Sequence, residues 1–126
     1  MAKPTLLRWL TENVADTRSE APPPPRRYAS SFARTWEALV EVARGRRGWT
    51  VERADEEEGL LAAVCRTPVL RFRDDLTVRV SLDRDGLTRV DARSASRVGV
   101  GDLGTNARRI RRLWRSLDRR LERVDG

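Results

Sequence analysis

The chain contains no histidine and a single cysteine, Cys65, among its 126 residues. Without histidine there is no Ser-His-Asp or Cys-His nucleophile, no imidazole acid–base group near neutral pH, and no His-based zinc or non-haem iron site. One thiol excludes an internal disulfide and a thiolate metal cage. On an apolar strand, Cys65 reads as a small buried hydrophobe. No metal or cofactor is therefore expected. Long apolar runs are missing too. The opening MAKPTLLRWLTENV holds none that would serve as a signal-peptide core or a membrane span, which points to the cytoplasm. Lysine is confined to Lys3, so the net charge of +7 is carried by arginine.

Such a charge suits a polyanion as partner only where it clusters on one surface; scattered arginines simply fill solvent positions. With 39% apolar and 36% charged residues the composition is that of a folded protein with a heavily charged surface. The length suits one domain with an arm. Residues 1–27 read as the arm. Pro4 opens a short amphipathic helix over residues 4–16 that includes Leu6, Leu7, Leu10 and Val14, and a linker follows through Pro22–Pro25. Four consecutive prolines favour a stiff extended spacer.

Residues 28–126 read as a single α+β domain. Ser30 or Ser31 caps a helix with Phe32, Trp36, Leu39, Val40 and Ala43 on one face, ending at Gly45 or Gly48. Arg44, Arg46 and Arg47 then complement the negative end of its dipole. Four strands are expected, over Trp49–Arg53, Leu60–Thr67, Leu70–Leu82 and Leu87–Ser96. Alternation is clearest in the third, and Asp85-Gly86 marks a hairpin before the fourth. Short connections imply an antiparallel meander. A final helix over Thr105–Val124 carries Ala107, Ile110, Leu113, Trp114, Leu117 and Leu121 on one stripe. Arg108, Arg112, Arg115, Arg119 and Arg123 lie opposite, with Arg109 on a flank. The expected architecture is a two-layer sandwich of order α-β-β-β-β-α, a four-stranded antiparallel sheet covered by the two helices and preceded by the helical arm.

Two places carry polar chemistry. Asp74 has the parity of Phe72 and Leu76, so either a bulge re-aims its carboxylate outward or it faces the core and takes a cation or donor, with Arg93, Arg97 or Asn106 as candidates. The stretch from Arg93 to Asn106 has the parts of an anion site. Arg93 and Arg97 flank Ser94 and Ser96, Gly99, Gly101 and Gly104 free the backbone, and a helix N-terminus follows. Asp102 opposes a bound anion, and Thr105 or Asp102 caps the helix if the motif is purely structural. The candidate ligand-binding residues are Asp74, Arg93, Ser94, Ser96, Arg97, Asp102 and Asn106.

The runs Phe72-Arg73-Asp74-Asp75, Arg93-Ser94-Ala95-Ser96-Arg97-Val98-Gly99 and Asp102-Leu103-Gly104-Thr105-Asn106, continued by Arg108 or Arg109, resemble the DUF1499 family of bacterial and plastid proteins of unknown function. The similarity covers roughly residues 28–122 and departs where Val100 and Gly101 replace an aromatic and a serine common in the family. The resemblance supports the domain assignment and implies no particular activity. Three functions follow from the residues. The first is a non-enzymatic binding or interaction module holding a small anionic ligand or a protein partner at the strand-to-helix junction. The second is a carboxylate-based hydrolase using Asp74 and Asp102, viable only if both open on one cleft. The third is a basic module for nucleic acid or acidic membrane, acting through the arginine helix face and the arm. The first fits the residues best.

Overall fold

A computed structural model describes residues 14–19, 23–97 and 104–124. The elements are β1 (Val14–Asp16), β2 (Arg26–Tyr28), α1 (Phe32–Gly45), β3 (Trp49–Asp55), β4 (Leu60–Arg66), β5 (Arg73–Leu82), β6 (Thr88–Ser96) and α2 (Thr105–Asp118). The α+β class, the antiparallel sheet and the two helices are as the sequence implies, but the sheet has six strands, not four. Its order is β1-β6-β5-β4-β3, with β2 also paired to β6.

The two added strands come from the segment expected to be arm and linker. β1 pairs Val14 with Ala95, and β2 pairs Arg26 with Val90, so they lie end to end along one edge of β6. Thr17 fills the gap between them. Its N–H donates to Ala92 O at 2.9 Å, its Oγ1 accepts from Ala92 N–H at 2.9 Å, and its hydroxyl donates to Asp91 Oδ1. A threonine hydroxyl here stands in for a missing backbone rung and leaves β6 without an open edge. Val14–Asp16 is thus extended where a helix was expected; the rest of that expected helix lies outside the described residues. Pro23 is buried and Pro24 O accepts from Trp114 Nε1 at 2.8 Å, so this part of the proline run lies against α2 instead of standing off as a spacer.

Ser31 caps α1, its Oγ accepting from Arg34 N–H at 3.1 Å, and Trp36, Leu39, Val42 and Ala43 recur at helical spacing on the buried face. In α2 the stripe Ala107, Ile110, Leu113, Trp114 and Leu117 is buried. That helix stops at Asp118, short of the expected Val124. Asp118 is anchored by the Tyr28 hydroxyl at 2.7 Å and by Arg26 at 3.2 Å, and Leu121 folds back into the core. Beyond it the chain runs beside β2, with Ala29 N–H on Glu122 O at 2.7 Å and Val124 N–H on Arg27 O at 3.0 Å. Burial and the hydrogen bond to Asp118 push the Tyr28 phenol well above its ordinary range.

The helices pack on the sheet face that presents Leu61, Ala63, Leu76, Val78, Val80, Val90 and Ala92, while Thr77, Arg79 and Arg93 face outward on the other side. β5 begins at Arg73, three residues later than its alternation suggests. Leu70 and Phe72 share the core parity but belong to the β4–β5 loop and are exposed. Among the described residues no helix is long and apolar enough to cross a membrane.

Candidate functional site

At one end of the sheet the inner face turns polar. Register places Asp74 of β5 beside Cys65 of β4 and Ser96 of β6, with Ser94 one row further in beside Leu76. Asp74 is only 1% exposed. The first turns of α2 lie over this row. Arg109, also buried, brings Nη2 to 2.6 Å from Asp74 Oδ2, and its Nη1 donates to Ser94 Oγ at 3.0 Å and Asn106 Oδ1 at 2.8 Å. The Ser94 hydroxyl donates to Asn106 Oδ1 at 2.6 Å, and Asn106 Nδ2 donates to Ser96 Oγ at 2.9 Å. One guanidinium thus ties two strands to the helix, and a charged pair in so dry a place requires such partners.

The structure brings together four of the seven sequence candidates, Asp74, Ser94, Ser96 and Asn106. Arg93 and Arg97, expected as partners of Asp74, lie on the opposite face of β6 because their parity is odd with respect to Ser94 and Ser96. Arg97 instead forms a fork with Asp75, Nη2 to Oδ1 at 2.7 Å, and its hydrogen bonds hold the Asp75 carboxyl below the usual carboxylate range. Arg93 stands 3.9 Å from Asp16 of β1. Asp102, Gly99 and Gly101 lie outside the described residues. Thr105 is not the helix cap: Gly104, in the left-handed region at φ 82°, takes that position. Arg109 is the residue that sequence reasoning left on a flank. Its place one helical turn after Asn106, on the side turned to β6, was the available signal. With Asp74 sealed against Arg109, the condition set for a hydrolytic carboxylate, an opening onto a cleft, is not met at that residue.

Arg109 has a second neighbourhood. A cleft of about 390 Å³ opens where β3 begins, β4 ends and α2 starts, and it is bordered by Arg46, Arg47, Arg66, Arg108, Arg109 and Arg112. It runs into a second recess of about 700 Å³, also bordered by Arg47, Arg66 and Arg71. Among the described residues no carboxylate borders either one. Arg46 stacks on Trp49 with its guanidinium carbon 5.4 Å from the ring centre, and its Nη1 donates to Ser116 Oγ at 3.1 Å. Partial burial and then the neighbouring Arg112 charge push the Arg46 pKa down, with Arg109 and Arg119 adding to the effect. Arg46 and Arg47, expected only to complement the end of α1, therefore meet the arginines of α2 across a shared recess. A helical wheel of either element alone contains no such meeting.

The family model described as "Protein of unknown function (DUF1499)" matches residues 9–117. The chain belongs to the DUF1499 family. No curated protein and no solved structure matches it. The matched span of this DUF1499 chain includes β1, the whole Asp74–Arg109 cluster and every arginine of the cleft.

Cys65 sits in the polar row as a neighbour of Asp74, fully buried, and desolvation pushes its thiol up to about 12 from 9.0. A thiol in that state is protonated and unreactive at neutral pH. The folded DUF1499 domain is expected to resist a thiol-specific chromogenic reagent at pH 8 and to react fully in denaturant. Because the native state holds this proton more tightly than the unfolded chain, the associated stability is complete below about pH 9 and is lost progressively as pH rises toward 12, by up to about 1.4 kcal/mol per pH unit. Urea titrations across that range in wild type and Cys65→Ala give the comparison: a decline of equal slope in both would rule out the thiol as a cause.

Proposed function

We propose that this DUF1499 chain is a binding module for an anionic ligand, held in the arginine cleft beside the first turns of α2. The observation that carries the proposal is the border of that cleft: six arginines and, among the described residues, no carboxylate. Burial first and then the neighbouring Arg112 charge depress the Arg46 pKa; like charges gathered in a partly buried recess destabilise one another, and a bound phosphate or carboxylate relieves that repulsion. Guanidinium forks suit such ligands because they donate paired, parallel hydrogen bonds to two oxygens of one group.

The motif from Arg93 to Asn106 then has a supporting role. Ser94, Ser96 and Asn106 hydrogen-bond to Arg109 and to one another, and Asp74 pairs with the Arg109 charge, which fixes α2 and hence the height of Arg108, Arg109 and Arg112 over the cleft. A rigid shell of this kind is what a preformed anion site requires. Inorganic tripolyphosphate is a suitable probe because it is small, polyvalent and free of any apolar part. At one hundred times its Kd it should add about 2.7 kcal/mol to stability, read as a rise in melting temperature. No rise at millimolar tripolyphosphate and low salt would refute the proposal.

A further inference from the structure

We infer that the anion this cleft meets belongs to a lipid surface, and that the β4–β5 loop is the element inserted into it. The inference rests on the anion-site reading above and names its source. The loop is closed by Thr67, whose N–H donates to Phe72 O at 2.9 Å and whose Oγ1 accepts from Phe72 N–H at 2.8 Å. Arg71 N–H also bonds to Thr67 O at 3.1 Å, with Arg71 itself at φ 57°. This turn carries Val69, Leu70 and Phe72 out of the core, at 87%, 68% and 46% exposure. Among the described residues, the only other large hydrophobic side chain so exposed is Leu82. Three apolar side chains gathered on one short loop, whose parity would otherwise have buried two of them, form a patch that needs an apolar partner.

Charge selects that partner. Arg66, Arg71 and Arg73 flank the tip, and the sequence from Gly59 to Arg73 contains no aspartate or glutamate. Thr67 and Pro68, at the base of the loop, border both recesses, so the apolar tip and the arginine cleft share one end of the molecule. Trp49, on which Arg46 stacks, stands at the same place. An acidic bilayer offers phosphates at its surface and hydrocarbon just beneath, in the spatial order in which this end presents arginine and then aliphatic side chains. A nucleic-acid backbone supplies the phosphates and nothing for Val69 and Leu70.

The test uses the full chain with phosphatidylcholine vesicles containing about one third phosphatidylglycerol, against vesicles of phosphatidylcholine alone and single-stranded RNA. Wild type should sediment with the acidic vesicles only, and Leu70→Trp should show a blue-shifted emission on binding. Val69→Ser/Leu70→Ser, altered at exposed positions, should lose at least about tenfold in vesicle affinity while tripolyphosphate still raises its melting temperature as in wild type. Arg46→Ala/Arg112→Ala should lose both responses. Wild type ignoring acidic vesicles, a serine variant that binds them as wild type does, or RNA binding in place of vesicle binding would each overturn the inference. Tripolyphosphate binding that survives such a result leaves the anion site standing; loss of both removes the two together.

Discussion

Arg109→Ala is expected to destabilise the domain by about 3–5 kcal/mol, a large part of the 5–15 kcal/mol typical of whole domains. The substitution removes the cation 2.6 Å from Asp74 and the donors to Ser94 and Asn106, and leaves a carboxylate that is 1% exposed with no counter-charge. Its neighbours in the sheet, Cys65 and Ser96, do not replace the lost charge. Asp74→Asn should cost less, because Arg109 borders the cleft and keeps its hydrogen bonds to Ser94 and Asn106. Combining the two should cost less than the sum by about 1–3 kcal/mol, the signature of directly coupled groups. Urea unfolding of the four proteins, with the dependence on denaturant unchanged, measures this. A loss below about 1 kcal/mol for Arg109→Ala, within the range of surface ion pairs, would mean that the cluster is not the lock between β5, β6 and α2.

Gly59→Ala should be nearly as damaging, for a backbone reason. Gly59 closes the β3–β4 turn at φ +68°, and an added Cβ would stand 2.2 Å from Val80 O. The same glycine accepts a hydrogen bond from Val80 N–H at 2.8 Å, so the two strands cannot separate without breaking it. Left-handed strain and an unrelieved backbone clash together amount to about 3–5 kcal/mol. Gly86, in the β5–β6 hairpin, is the control: φ is +76° but nothing lies within 4 Å of its would-be Cβ. Gly86→Ala should therefore cost about 1–2 kcal/mol, the conformational part alone. Equal losses at the two positions would refute the clash with Val80.

The difference between Gly59 and Gly86 also marks the limit of what the sequence carries. Both glycines announce turns, and the meander from Trp49 to Ser96, the Ser31 cap and the stripe of α2 are legible because period and punctuation are local properties. β1 and β2 are not legible. Three residues are too few for an alternation to emerge, and Arg26-Arg27-Tyr28 reads as polar although Tyr28 is fully buried against α2. Parity identified Asp74 as inward-facing, and applied to β6 the same parity sends Arg93 and Arg97 outward. Their place in the same polar stretch as Asn106 is what makes them look like partners for Asp74. Arg109 escaped because a wheel ranks helix positions by angle to the mean apolar stripe, whereas its burial depends on a polar patch at the far end of the sheet. The cleft was hidden for a further reason. Its arginines come from the turn after α1, from β4 and from α2, and only tertiary packing sets them around one recess.

The division of labour between the lock and the cleft can be tested by titrating tripolyphosphate into three proteins at low salt, followed by calorimetry: wild type, Arg93→Ala/Arg97→Ala and Arg46→Ala/Arg112→Ala. Saturable binding should appear in the first two with similar affinity, because Arg93 and Arg97 face away from the recess, and should fall by at least about tenfold in the third, where two charged hydrogen-bond donors are lost. Undiminished affinity in Arg46→Ala/Arg112→Ala, or its loss on removing Arg93 and Arg97, would contradict the placement of the anion site in the cleft.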